Sequence, residues 1–339
     1  MKEAAAIISA DPHGDPLAEG PEDEQGLAAE VELRQVVVDA GHHGQRLDRA
    51  LAALVSEFSR SYLQQLIEAD AVQLNGRPAR KSAARVHVGD ALQVELRPTQ
   101  QSQAFVAQPM VLDTVYEDAH LRVINKPAGL VVHPAPGNWS GTLLNGLLAL
   151  DPAAATLPRA GIVHRLDKDT SGLMVVARTR ACMDALVALI AQRAVSRQYL
   201  ALAHRPWSGP AQRTVDAPIG RDPRNRLRMA VVDLAREPGK TARTDFDCLD
   251  QVEQGCWLRC TLHTGRTHQI RVHAASFGHP LVADTLYGGA PAAGLARQAL
   301  HAFRLAFVHP MTGQSLALSA PLPDDMCQAL QAWGLRYNP

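Results

Sequence analysis

The apolar runs of this chain are short, and their period changes from one to the next. SRQYLALAH (196–204) alternates as a strand does, whereas MDALVALIAQ (183–192) repeats at helical spacing. CWLRCTLHTGRTHQIRVHAASFG passes from a strand pattern through a glycine-containing turn into a helical start. With no internal repeat and no regular strand–helix alternation, neither a solenoid nor a doubly wound sheet is expected. The pattern points to an α+β fold with a mixed, largely antiparallel sheet flanked by helices and loops. No apolar run reaches the eighteen residues of a membrane-spanning helix, so no membrane partner is expected. A length of 339 residues with 46% apolar side chains leaves room for one large domain and one small one.

Charge divides the chain unevenly. Residues 1–34 hold nine acids and two bases, which leaves 25 acids against 32 bases over the other 305 residues. The acidic tail 1–34 has neither helical nor strand periodicity and is expected to be disordered. The first residues also lack the basic flank and long apolar stretch of a signal peptide, so a cytoplasmic location is expected. The basic surplus of the body fits a polyanionic partner without requiring one. The five cysteines are an odd number with no CxxC pair, which argues against a disulfide framework or a zinc site.

Beyond the tail, VVVDA (36–40) reads as a strand, and RLDRALAALV (46–55) places Leu47, Ala50, Leu51 and Leu54 on one helical face. Ser59 is the candidate N-cap of a second helix carrying Leu63, Leu66 and Ile67. AVQLNGRPA puts Asn75-Gly76 at a hairpin turn, and VHVGDALQVEL supplies two further short strands around Gly89-Asp90. Arg46, Arg49, Arg60, Arg77, Arg80, Lys81 and Arg85 gather on the connections, where charge alone fits a solvated surface equally well. The pattern RLDRALAAL…SRSYLQQLIEADAVQLNGRPARK…VHVGDALQVEL resembles the S4-type RNA-binding domain. That resemblance implies that the second helix and the turn after it face RNA, with Arg46, Arg60, Arg77 and Lys81 meeting phosphates. The small domain is set at 35–97 and a polar, proline-bounded linker at 98–110.

HRLDKDTSG (164–172) lies between the apolar runs GIV and LMVVA. Asp169, Thr170, Ser171 and Gly172 are turn formers, so the chain is expected to bend there and leave Asp167 near a strand end. Such a place suits a reactive carboxylate and an ordinary loop carboxylate alike. A metal site is not expected. His263, His268 and His273 are five residues apart, which on a helix turns each by roughly 140° from the last and on a strand puts it on the opposite face. No GxSxG elbow occurs, and Gly239-Lys240-Thr241 lacks the preceding glycine of a phosphate loop.

GIVHRLDKDTSGLMVVART resembles the signature of the RluA-type pseudouridine synthases. INKPAGLVVHP (124–134), VSRQYLALAH (195–204) and LHTGRTHQIRVHAASFGHPLVADTLYGG (262–289) resemble further blocks of that family in the same order. The likeness spans residues from about 36 to 325 and implies a pseudouridine synthase catalytic domain at 111–325, followed by a C-terminal extension, 326–339. It implies Asp167 as the catalytic residue, Arg271 as the cation beside it, Tyr199 packed on a flipped-out uracil, Arg165 inserted where that base stood, and Ile270 lining the pocket. Among members of the family the blocks are most like those acting on large-subunit ribosomal RNA, so the implied partner is 23S rRNA or its precursor, with the helix-69 hairpin as first target. A synthase acting on transfer RNA or another ribosomal hairpin, and a non-catalytic ribosome-assembly factor on the same fold, remain alternatives.

The implied reaction breaks the base–sugar N–C bond, turns the uracil, and joins its C5 to the same sugar carbon. Redox state and composition do not change, so no cofactor is expected; one carboxylate that attacks the sugar carbon or removes a neighbouring proton suffices. Closing the site to water disfavours the charged carboxylate, which is why a fixed cation is expected beside it. The chain is expected to act as a monomer. It departs from the family in HPAPGN (133–138) and in Val282-Ala283-Asp284-Thr285, where relatives often carry Gly and Pro; both are expected to touch loop geometry and not the chemistry.

Overall fold

The computed structural model describes residues 32–97, 104–135, 137–225 and 227–337. They fall into two units that divide between Arg97 and Pro98. The small unit runs β1 (Glu32–Val37), α1 (Leu47–Leu54), α2 (Arg60–Glu68), β2 (Val72–Leu74), β3 (Arg77–Pro78) and β4 (Ala91–Leu96). Its sheet has the order β1-β4-β2-β3 with every pair antiparallel. Leu47, Ala50 and Leu51 of α1 pack with Leu63, Leu66 and Ile67 of α2 against Val72, Leu92 and Val94, so the helical stripes and the alternating strand faces meet in one core. The Ser59 hydroxyl accepts from the Tyr62 amide at 3.3 Å, capping α2 as its sequence predicts. Asn75 and Gly76 both have positive φ, +52° and +75°, the requirement of a two-residue hairpin turn.

Two features of this unit differ from expectation. VHVGDALQVEL gives one strand, β4, because the segment facing Val86 is itself a turn: Gly44 donates to the Val86 carbonyl and Val86 to the Gln45 carbonyl, with no ladder to extend. In addition, β1 begins at Glu32, three residues before the expected domain start, so the end of the acidic stretch pairs with β4. The rest of the tail, 1–31, lies outside the described residues.

The large unit comprises β5 (Asp113–Glu117), β6 (Leu121–Lys126), α3 (Leu143–Leu150), β7 (Ser171–Ala177), α4 (Arg180–Ala191), β8 (Ser196–His204), β9 (Gln212–Asp216), β10 (Ile219–Arg221), β11 (Met229–Val231), β12 (Gly239–Lys240), β13 (Arg243–Gln251), β14 (Gly255–Leu262), α5 (Gln269–Ser276), β15 (Leu300–Val308), β16 (Ser315–Ser319) and α6 (Asp324–Trp333). The main sheet has the order β5-β6-β7-β15-β8-β14-β13-β9, with β16 beside β15. Its one parallel pair joins β7 to β15 at Ser171–His301 and Gly172–Ala302. Gly172 has φ +113°, and a Cβ there would lie 2.3 Å from the Ala302 carbonyl oxygen, so only glycine lets the two backbones meet.

β7 is buried throughout, which explains its unbroken apolar sequence. Met174, Val176, Tyr199 and Ala201 join a core with Leu143 and Leu147 of α3 and Ile270 and Ala274 of α5. On the other face Leu173 and Val175 meet Cys182 and Leu186 of α4, and Leu200 and Leu202 meet Met326 and Leu330 of α6. Helices thus cover both faces, and the period-two alternation of β7 and β8 decides which side chain goes where.

The segments at either end of this unit are more integrated than the sequence suggests. Within 104–110, Ala104 is buried, the Asn145 side chain donates to the Val106 carbonyl at 2.8 Å, and Gln108 donates to the Asn145 carbonyl, so this half of the expected linker is stitched to α3. Residues from 326 onward continue α6, and Arg297 holds Asp325 at 2.7 and 2.8 Å. β10, β11 and β12 form a separate three-stranded sheet in the order β11-β10-β12 that the sequence does not announce.

Candidate active site

The HRLDKDTSG loop enters β7 at the centre of the sheet, tied from several sides. Lys126, at the end of β6, is fully buried and its Nζ donates to the carbonyls of Pro127, Leu130 and Lys168 at 2.8, 3.0 and 2.9 Å, pinning the KPAG turn to the loop. Burial brings its pKa down to about 8. Arg297 donates to the Asp169 carbonyl at 3.0 Å, and the Ser171 hydroxyl lies 2.9 Å from His301 Nδ1. Asp167 is therefore held by groups far away in sequence, with its side chain 17% exposed.

A cavity of about 500 Å³ opens beside it, lined among others by Arg165, Asp167, Arg197, Tyr199, Ile270 and Arg271. That is within the range of small-ligand pockets. Arg271, near the start of α5, directs Nη1 to Asp167 Oδ2 at 3.0 Å, while its Nε and Nη2 bind the two oxygens of Asp284 at 2.7 and 2.9 Å. Burial works against the Arg271 charge, but the Asp284 and Asp167 carboxylates outweigh it and raise its pKa further. Tyr199 is buried, and that burial pushes its phenol up to about 12, so it presents a neutral ring. Ile270 is buried next to Arg271 on α5. Arg165 is exposed at the cavity, with no acidic partner among the described residues. All five residues singled out in the sequence are thus brought to one cavity.

Several neighbours escaped the sequence reading. Asp284 belongs to the stretch expected to touch only loop geometry, yet it anchors the arginine that meets Asp167. Ala283 before it has φ +59°, in the left-handed region that favours glycine. His268 also has positive φ, +56°, at the N-cap of α5. The Tyr287 hydroxyl accepts from the Met229 amide at 3.0 Å and lies 2.8 Å from His268 Nδ1. That hydroxyl can donate to Nδ1 or accept from it, and the ring's Nε2 lies 3.9 Å from Asp167 Oδ1. Burial keeps that ring neutral against the pull of Asp167.

His164 opens the loop and accepts from the Val175 amide through Nε2 at 3.0 Å; burial brings its pKa down to about 3. Because the folded value lies below the unfolded one of 6.5, the stability carried by the neutral ring is complete above that pH and is lost as pH falls toward the folded value. We expect the melting temperature to drop between pH 7 and 4, and His164→Gln, which can still accept from Val175, to flatten part of that drop. Coincident melting profiles for the two proteins would mean that His164 contributes nothing to acid sensitivity.

In the small unit the four expected RNA contacts separate into two kinds. Arg46 and Arg60 both bind Asp48, at 3.1 and 2.7 Å for their shortest contacts, and Gln64 adds a third donor at 2.7 Å. The Asp48 side chain has no exposure, and Arg46 above all holds its carboxyl well below the usual carboxylate range. The two guanidinium groups remain about half exposed around this buried anion. Arg77 and Lys81 are exposed and carry no acidic partner among the described residues.

The Asp167–Arg271 ion pair and the buried Tyr199 ring line one cavity beside β7 of the mixed sheet. Residues 120–276 match the model of the RNA pseudouridylate synthase family and residues 45–92 that of the S4 domain. The chain belongs to the RNA pseudouridylate synthase family and carries an S4 domain. Among its relatives are proteins named ribosomal large subunit pseudouridine synthase D. That of Neisseria meningitidis serogroup A is 47% identical over 300 residues, covering 85% of this chain and 78% of the relative. That of Xylella fastidiosa is 47% identical over 312 residues, covering 88% and 92%, and that of Nitrosomonas europaea 48% over 297 residues, covering 85% and 84%. Among solved structures, human RNA pseudouridylate synthase domain containing 4 superposes with a TM-score of 0.52 at 25% identity, over 67% of this chain and 95% of that one.

Proposed function

We propose that this chain isomerises uridine in large-subunit ribosomal RNA, with Asp167 as the carboxylate that reacts at the sugar of a flipped-out nucleotide. The observation carrying this reading is the Arg271–Asp167 pair at 3.0 Å, set at a cavity that also holds the Tyr199 ring. Arg271, locked by Asp284, sets a fixed positive charge against the carboxylate and aims it. Tyr199 and Ile270 enclose the uracil, and Arg165, exposed and unpaired, fills the gap that the base leaves in its stack. The reaction neither oxidises nor adds atoms, so side chains alone suffice. We take the enzyme to act as a monomer in the cytoplasm.

Identity between 47 and 48% with relatives named for the ribosomal large subunit favours that RNA. The test is to incubate the protein with transcripts of 23S rRNA containing the helix-69 hairpin and, separately, with transfer RNA, then map pseudouridine by chemical labelling. Modification confined to transfer RNA would overturn the target, and no modification of any RNA would return the reading to a binding factor.

The small unit supplies a second grip on the RNA. Replacing Arg77 and Lys81 together by Gln is expected to lower the slope of log affinity against log salt by about two, since each phosphate contact contributes about one. Their exposure predicts an unchanged melting temperature. An unchanged slope would make both residues a solvated surface.

A further inference from the structure

Four Lys or Arg side chains are buried among the described residues: Arg122, Lys126, Arg197 and Arg271. Three have hydrogen-bond acceptors around their charged groups. Arg122 meets Glu117 at 2.8 Å, Lys126 meets three carbonyls, and Arg271 meets two aspartates. Arg197 is the exception. It is 6% exposed, its Nε is buried with no hydrogen-bond partner, and no described carboxylate pairs with its guanidinium. It nonetheless lines the cavity that holds Asp167 and Tyr199. The backbone leaves space for it at Gly265, where a Cβ would fall 2.8 Å from Arg197 Nη1. Burying an unpaired cation disfavours the folded state, so such a residue is expected to meet an anion that arrives from outside.

We propose that Arg197 is the binding site for a phosphodiester phosphate of the RNA, one that flanks the flipped uridine. The inference rests on the reading that this cavity receives a uridine. Arg197 and Tyr199 are two residues apart on β8, and the strand pleat sends both to the same face. A nucleotide carries its base and its phosphate on opposite sides of one sugar, so a ring-binding tyrosine beside a planar, doubly donating cation matches its two ends. The uracil carbonyls are neutral acceptors and leave the charge of Arg197 unanswered, whereas every linkage of RNA supplies a full negative charge. Binding the nucleotide by its phosphate also fixes how far the sugar sits from Asp167, while the base stays free to turn after the N–C bond breaks.

The test uses the full chain with the Asp167→Asn change, so that no turnover intervenes, and compares Arg197 with Arg197→Met. The Met variant is expected to melt at the same temperature or higher without RNA, because an unpaired buried charge has been removed. Its Kd for the helix-69 hairpin should rise ten- to a hundredfold, with the salt slope lower by about one. A single neutral methylphosphonate at the linkage on one side of the target uridine should weaken Arg197 protein by a similar factor and leave the Met variant unaffected. A melting temperature several degrees lower in the Met variant would make Arg197 structural. Equal methylphosphonate penalties in both proteins, or none in either, would likewise overturn the phosphate site. Protein with Asp167 intact is assayed alongside: if it modifies the hairpin while the phosphate effects are absent, only the Arg197 site falls, and if it modifies no RNA, the underlying reading falls with it.

Discussion

Asp167→Asn is expected to slow isomerisation by at least about 10⁴-fold while leaving RNA affinity within about tenfold. The amide keeps the shape of the carboxylate and can accept from Arg271 through its oxygen, and Arg271 remains locked by Asp284 whatever stands at position 167. The loop itself is held by main-chain contacts from Lys126 and Arg297, neither of which uses the Asp167 side chain. Folding and the pocket for the base should therefore survive, and only the reactive anion is lost. A single-turnover assay of pseudouridine formation, with binding measured on the same RNA, checks both halves. Retained turnover would remove Asp167 from the reaction, and lost binding would mean that its charge had organised the cavity.

What the sequence makes legible is what local periodicity and turn chemistry control. The Ser59 cap, the Asn75-Gly76 turn, α4 and β8 each depend on residues within a few positions of one another, and each forms where its pattern says. The five residues gathered at the cavity were named because blocks of the sequence resemble a family, not because any spacing showed them to be close. What local patterns cannot show are the consequences of distant pairing. The parallel contact of β7 with β15 joins positions 130 residues apart and depends on the missing side chain at Gly172. Asp284 reads as an ordinary loop acid until the fold sets it against Arg271, and Arg197 reads as one more basic residue until its burial without a partner is seen. β10, β11 and β12 are two or three residues long, too short for a period to emerge.

Arg271 tests whether position and charge at this site can be separated, and its replacement is expected to affect both stability and rate. Arg271→Met leaves Asp284, whose side chain is 1% exposed, without its cation. Breaking a buried pair from one side costs about 3–5 kcal/mol, because the remaining charge is stranded out of water. The same change takes the neighbouring donor from Asp167, so the single-turnover rate should fall by at least about 10³-fold. Arg271→Lys should fall in between, because an ammonium cannot reach Asp284 with two parallel bonds and Asp167 with a third. The decisive protein is the double variant Arg271→Met with Asp284→Leu, in which both buried charges become apolar. Its stability in chemical denaturation should return to within about 1–2 kcal/mol of the starting protein, as buried pairs exchanged whole for apolar side chains commonly do. Its rate should stay as low as that of Arg271→Met, since repacking cannot restore a cation to Asp167. A double variant that recovered the rate along with the fold would show that Arg271 serves only to neutralise Asp284, and that Asp167 works without it.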